Sequence, residues 1–290
     1  MKQIRKAVFP IAGLGTRFLP LSKVVRKEFL PLVDKPIIQY LVEEAFKSGI
    51  REIIFVVAPG EKKAVDYFKK DKKLEKILNQ RKRNYLLKEI EQLEEIAQEV
   101  SFSTVYQKEP LGDGHAILQA KRLVKDEPFA VFFGDDVIDA DIPCLLQLEK
   151  VFNTSQRPVL ALARKEPKVI DRYGIVSVEK IANSIFKIKN IVEKPKAEEA
   201  PSDLAIIGRY ILTPDIFSYL KKLSPNKRGE IILADALKSM VKDGKIVYGY
   251  EVKGTWLECG NKASWLKSNV YLSLKDPNFG AEIKPFLKKI

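Results

Sequence analysis

Ala7-Val8-Phe9-Pro10-Ile11-Ala12 runs without a charged residue into Gly13-Leu14-Gly15-Thr16-Arg17, and this junction decides the fold class. A short apolar run that ends in a glycine turn reads as a strand buried on both faces. Gly-x-Gly at its end lets backbone N–H groups approach a ligand that a side chain would obstruct, and the arginine that follows suits an anion. More cations come at Lys23, Arg26 and Lys27, and Lys35-Pro36 opens a helical pattern. Taken alone, Gly-x-Gly after a strand is equally an ordinary strand-to-loop turn. A dinucleotide fingerprint would need a third glycine where Phe18 stands, and a Walker A loop would need Gly-Lys-Ser/Thr, which is missing. Lys27-Glu28-Phe29-Leu30-Pro31 downstream narrows the signal considerably.

Outward from this junction the pattern alternates. Apolar β-type runs are expected at 7–12, 53–58, 102–106, 129–133, 159–163, 175–178, 185–191, 204–212 and 246–250, with helical patterns at 37–48, 62–68, 74–98, 115–123, 142–152, 214–223, 231–241 and 262–274. Strand–helix alternation in the first half implies an α/β fold with a mostly parallel sheet covered on both faces. From Val159 to Leu212 the strands crowd together, with Tyr173-Gly174 and Glu193-Lys194-Pro195 as turn signals, so a small, partly antiparallel β lobe is expected. No repeat or Gly/Ser linker divides the chain; a single domain over 1–290 is expected, with its core at about 5–272 and a tail that carries little pattern. In such sheets ligands bind beyond the carboxyl ends of the strands. The glycine loop lies at one such end and Gly134-Asp135-Asp136 at another.

Composition removes several function classes. With two cysteines and one histidine in 290 residues, neither a zinc cluster nor a disulfide scaffold is available. His115, after Gly112-Asp113-Gly114 at the start of a helical pattern, reads as a structural or cap-region residue. Any metal would have to be held by carboxylates, which suits Mg²⁺ or Mn²⁺. No apolar segment approaches the ~20 residues that cross a bilayer, and no signal peptide is evident, so a soluble cytoplasmic protein without a membrane partner is expected. The net charge of +13 arises from 51 basic and 38 acidic residues, largely interspersed. With no nucleic-acid motif and no aromatic-interleaved basic stripe, it reads as a solvated surface, and no nucleic-acid partner is expected.

The remaining polar residues form a specific inventory. Asp135 and Asp136 are adjacent at a strand end, so their side chains point to opposite sides and one should meet the crevice. A metal would need a second carboxylate, and Glu258, between Leu257 and Cys259-Gly260, is the candidate. Lys194 and Glu193 end another apolar run and could clamp a phosphate and a sugar hydroxyl. No nucleophile stands beside a base. Cations, backbone amides and carboxylates are the parts for phosphoryl or nucleotidyl transfer, where positioning and charge stabilisation dominate.

In this order these motifs resemble the sugar-phosphate nucleotidyltransferases, most closely the bacterial UTP–glucose-1-phosphate uridylyltransferases. The likeness runs from about Ala7 to Val270 through Phe9–Pro20, Lys27–Pro31, Val33–Tyr40, Gln107–Ala116, Gly134-Asp135-Asp136, Tyr173-Gly174, Val192–Pro195 and Cys259-Gly260. The resemblance implies a Rossmann-like three-layer αβα fold that joins UTP to glucose 1-phosphate, releasing pyrophosphate and UDP-glucose with Mg²⁺ as cofactor. It implies that Arg17, Lys27, Asp135 and Lys194 are catalytic. Nucleotide contacts would come from Ala12, Gly13, Gly15, Glu28, Gln107 and Gly112, and sugar contacts from Gly174, Glu193 and Lys194. Asp135 and Glu258 would be the metal ligands, and a homo-oligomer, dimer or tetramer, is expected.

Four positions depart from the family's usual pattern: Arg26 for Pro, Asp113 for an apolar residue, Ala234 for Thr and Glu258 for Asp. The extra methylene of Glu258 moves its carboxylate by about 1.5 Å, so the side chain must adapt or the metal must sit differently. The alternatives left open are another nucleotide or sugar on the same fold, or a nucleotide-sugar-binding paralogue weakened in turnover.

Overall fold

A computed structural model describes residues 3–289. Its central sheet contains strands β1 (Lys6–Pro10), β2 (Glu52–Val57), β3 (Ser101–Tyr106) and β4 (Phe129–Phe132). A short strand β5 (Asp136–Asp139) leaves the sheet, and β6 (Val159–Arg164), β7 (Gly174–Ala182), β8 (Ile185–Glu193), β9 (Leu204–Leu212) and β10 (Tyr248–Glu251) complete it. The nine strands lie in the order β3-β2-β1-β4-β9-β6-β10-β8-β7. The first four are parallel; beyond them β9 runs antiparallel to both β4 and β6, β10 runs parallel to β6, and β8 pairs antiparallel with β10 and β7.

Because successive side chains alternate between two covered faces, β1, β2 and β4 are apolar along almost their whole length. Phe9, Phe55 and Phe132 point to one face, where Phe9 stacks on Phe132 at 4.9 Å and meets Phe55 edge-on at 5.4 Å. Val8, Ile54 and Val131 point to the other. Helices α1 (Ile37–Lys47) and α2 (Cys144–Ser155) cover the first face through Ile38, Leu41, Val42, Leu145 and Leu148. Helices α3 (Asp113–Gln119), α4 (Ile216–Lys222) and α5 (Leu233–Lys242) cover the second through Ile117, Phe217, Leu220 and Leu237. The result is the three-layer αβα arrangement.

The expected β lobe is an extension of the same sheet: β7 and β8 form its far edge, and β7 also touches β9 through Ala205 and Ile175. Outside the sheet, β5 pairs antiparallel with β11 (Thr255–Glu258) in a two-stranded ribbon that places Asp136 opposite Glu258. The helical stretch expected over 74–98 divides into helices over 72–80 and 88–99, because the chain turns at Lys82 with φ 54. Helix α6 (Lys262–Lys275) follows the ribbon, and the tail expected to carry little pattern forms a further helix, Gly280–Leu287. Among the described residues no helix is long and apolar enough to cross a membrane.

Candidate active site

The carboxyl ends of β1 and β4 open onto a hollow of about 440 Å³ lined by Ala12, Gly13, Gly15, Arg17, Lys27, Gln107, Gly112, Asp135, Glu193 and Lys194, among others. A second hollow of about 200 Å³ shares Arg17, Asp135, Glu193 and Lys194 with it and adds Gly174 and Glu258. The expected nucleotide, sugar and metal residues therefore surround one crevice, with Glu28 the exception.

The glycine loop is built for backbone access. Gly15 holds φ 64, a left-handed conformation that a side chain disfavours, and a Cβ at Gly13 would meet nothing within 4 Å. Arg26 braces this loop: its Nη1 donates to Gly13 O at 3.0 Å and its Nε lies 3.7 Å from Glu61. On the opposite wall, Gly112 has φ 95, and a Cβ there would come within 2.6 Å of Ile231 O. Gln107 Nε2 donates to Gly112 O at 2.9 Å and lies 3.1 Å from His115 Nδ1, while His115 Nε2 lies 3.0 Å from Gln119 Nε2. His115 is thus held between two amides. Asp113 Oδ1 accepts from Leu233 N at 2.7 Å, so the unusual acid pins the start of α5.

Charge is concentrated where the two hollows meet. Lys27 Nζ donates to Asp135 Oδ2 at 2.7 Å. Burial opposes the charge on both groups, but their pairing outweighs it, holding the Lys27 ammonium above its usual range and the Asp135 carboxyl below its own. The neighbouring acid behaves differently. Asp136 accepts from Trp256 Nε1 at 2.6 Å and packs on Gly208; burial and the Asp135 charge push its pKa up to about 7, against the pull of Arg209. The two adjacent acids part ways, as strand-end geometry requires.

The residues expected to contact the sugar are framed by β7 and β8, whose register sets Gly174 directly opposite Glu193. A Cβ at Gly174 would come within 3.0 Å of Glu193 Oε2. Lys194 Nζ lies 3.0 Å from Glu193 Oε1, and the Lys194 backbone, at φ 48, is tied through its N–H to Tyr173 O at 2.9 Å. Arg17 Nη1 donates to Gly260 O at 3.3 Å, joining the glycine loop to the chain after the ribbon.

A nucleotidyl transferase family model matches residues 6–273. The chain belongs to this family. Among nucleotidyl transferases, the UTP–glucose-1-phosphate uridylyltransferases of Staphylococcus epidermidis and Staphylococcus haemolyticus are each 40% identical to it over 290 residues, covering 100% of this chain and 99% of each relative. Among solved structures, a UTP-bound UGPase from Acinetobacter baumannii superimposes with a TM-score of 0.90 at 38% identity, covering 99% of both chains. A UDP-glucose pyrophosphorylase complexed with UDP-glucose gives 0.85 at 37% identity, covering 94% of this chain and 100% of that one.

For a nucleotidyl transferase that uses a divalent ion, the donor set fits a hard cation. Asp135 and Glu258 line the same hollow, and among the described residues no group of three or more His, Cys, Asp or Glu is arranged to hold a metal. Two carboxylates completed by phosphate oxygens and water are what Mg²⁺ accepts.

Glu28 lies outside the lining. Only 1% exposed, it sits beneath Gly134, 4.0 Å from Lys27 Nζ, and its Oε1 has no hydrogen-bond partner among the described residues. Burial raises its pKa from 4.5 to about 7 against the pull of Lys27. The folded chain therefore keeps a proton that the unfolded chain releases, and this contribution to stability is lost as pH rises from about 4.5 to about 7. Glu28→Gln is expected to remove this component, at up to ~1.4 kcal/mol per pH unit, so its stability relative to wild type should grow across that window. Urea unfolding at several pH values measures it; parallel profiles for the two proteins would refute the assignment.

Sequence reasoning missed three features of the site. Tyr173 served only as a turn signal, yet its hydroxyl donates to Glu258 Oε2 at 3.0 Å. Trp256, which fixes Asp136, and Arg26, which braces the loop, were also not assigned these contacts. The aromatic side chains beside Glu258 and Gly174 were the available signal.

Proposed function

We propose that this chain transfers UMP from UTP to glucose 1-phosphate, releasing pyrophosphate and UDP-glucose. The observation that carries this reading is the Lys27–Asp135 pair at the seam of two hollows, one walled by the glycine loop and the other by Gly174, Glu193 and Lys194. Nucleotide and sugar phosphate would then meet at the charged seam. The names of the relatives at 40% identity support the same pair of substrates.

The phosphate of a sugar 1-phosphate is largely dianionic at neutral pH, with a second pKa near 6, so the attacking oxygen needs no general base. This agrees with a chain whose single histidine, His115, is held between two amides. The obstacle is repulsion between the two phosphate groups. Arg17 and Lys27 would offset it from the nucleotide side and Lys194 from the sugar side. The N–H groups at Gly13 and Gly15 would orient the triphosphate, while Gln107 and Gly112 would read the uracil edge. Glu193 and the Gly174 backbone would take sugar hydroxyls. Mg²⁺ held by Asp135 and Glu258 would supply further positive charge at the reacting phosphorus.

Pyrophosphate release measured with glucose 1-phosphate and each of the four nucleoside triphosphates, with and without Mg²⁺, tests this reading. UTP with Mg²⁺ is expected to give the highest kcat/KM. Turnover that favours another triphosphate would overturn the specificity, and release undiminished by chelation would overturn the metal requirement.

A further inference from the structure

Glu258 is one methylene longer than the aspartate expected there from the family resemblance, and the structure holds that longer side chain from three directions. Tyr173 Oη donates to Glu258 Oε2 at 3.0 Å, and Ser264 Oγ lies 3.1 Å from the same oxygen. Asn261 Nδ2 lies 3.4 Å from Oε1, a weaker contact. The donors are themselves fixed. Asn261 caps α6 by accepting from Ser264 N at 3.0 Å, and its Nδ2 lies 2.9 Å from Ser264 Oγ. The Tyr173 ring rests against Trp256 at 5.0 Å.

We propose that Tyr173 and Ser264 are positioning residues that hold the Glu258 carboxylate by Oε2, leaving Oε1, which carries only the longer Asn261 contact, as the oxygen offered to a divalent cation. This inference deepens the proposed function and rests on its two-carboxylate cation site. Without these donors, a carboxylate opposite the buried Asp136 would swing on three side-chain torsions, and the extra methylene would make its position indefinite. With them, the added length is taken up by the span from the ribbon to Tyr173 and Ser264. Tyr173 also accepts Lys194 N–H at its carbonyl oxygen, so the residue that fixes one end of the sugar side fixes the cation ligand as well.

Shortening the side chain by Glu258→Asp should withdraw the carboxylate from both donors and weaken cation binding in this chain. Partners of this kind around a metal ligand typically contribute 10–100-fold to metal affinity.

The test is Mn²⁺ binding followed by electron paramagnetic resonance on the full chain in complex with UTP, without sugar phosphate, so that no turnover occurs. Tyr173→Phe, which keeps the ring on Trp256, and Ser264→Ala are each expected to raise the Mn²⁺ Kd at least tenfold. Glu258→Asp should do the same, while metal-free UTP affinity stays within twofold in all three. Unchanged Mn²⁺ affinity in Tyr173→Phe and Ser264→Ala, or tighter binding in Glu258→Asp, would overturn the positioning role. Loss of metal-free UTP affinity in parallel with Mn²⁺ would also overturn it, since that pattern marks a merely structural contact. A wild-type UTP complex that binds no Mn²⁺ would overturn the underlying cation site and this inference with it.

Discussion

Lys27→Ala is expected to lower kcat by on the order of 10²–10³ while the protein stays folded. Two effects act in the same direction. Lys27 is the cation at the seam of the two hollows, with its side chain still 21% exposed to the crevice, so its removal takes away a charge that would oppose phosphate repulsion. It is also the partner that keeps Asp135 ionised. Burial favours the neutral acid there, and the Lys27 pair at 2.7 Å overcomes it. Without Lys27 the Asp135 carboxyl should titrate higher, and the acid limb of the pH–rate profile should move to higher pH. Steady-state kinetics across pH, with thermal unfolding as a control for folding, measure both effects. A kcat within threefold of wild type, or an unmoved acid limb, would reject the role assigned to the pair.

How far these features were legible in the sequence depends on the range of the interactions that create them. Most of the parallel core was legible because β1, β2 and β4 are buried on both faces. Runs such as Ile53-Ile54-Phe55-Val56-Val57 admit no polar alternation, and glycines mark where β1 and β4 meet the crevice. The divergence of Asp135 and Asp136 was legible for the same local reason. The ribbon of β5 and β11 was not: Asp136-Val137-Ile138-Asp139 is short and bounded by acids, and its partner strand lies more than a hundred residues away. Pairings of that kind leave no periodicity in either segment. Glu28 shows a different limit. Its motif identified it as a site residue, but its near-complete burial against Gly134 is a matter of packing that no spacing records.

Arg209 is a lone cation within Leu204–Leu212, where all nine residues are buried. Its side chain is 0% exposed, and its guanidinium lies over the Phe132 ring at 4.3 Å. Nη1 donates to Gly208 O at 2.9 Å, and Nε and Nη2 donate to the Glu44 carboxylate at 2.9–3.1 Å. Glu44 Oε1 also accepts from Leu145 N at 3.3 Å, so this one ion pair ties α1 and the start of α2 to the middle of the sheet. Glu44→Ala would leave the guanidinium buried without its counter-charge, and the expected loss is about 3–5 kcal/mol of unfolding free energy. That is a large share of the 5–15 kcal/mol typical of a folded domain. The double variant Glu44→Leu/Arg209→Met removes both charges and should recover most of the loss, because the desolvation cost then disappears with the attraction. Urea unfolding of wild type and these two variants measures both the loss and its recovery. If Glu44→Ala cost less than about 1 kcal/mol, the value of an exposed pair, the pair would not pin the layers together. The double variant should also reveal a link to the site. Arg209 draws the pKa of Asp136 downward, and Asp136 stands opposite Glu258 in the ribbon. Loss of the guanidinium should keep Asp136 protonated to higher pH even where overall stability has been restored. The stability effect and the electrostatic effect of Arg209 can therefore be separated within one pair of variants.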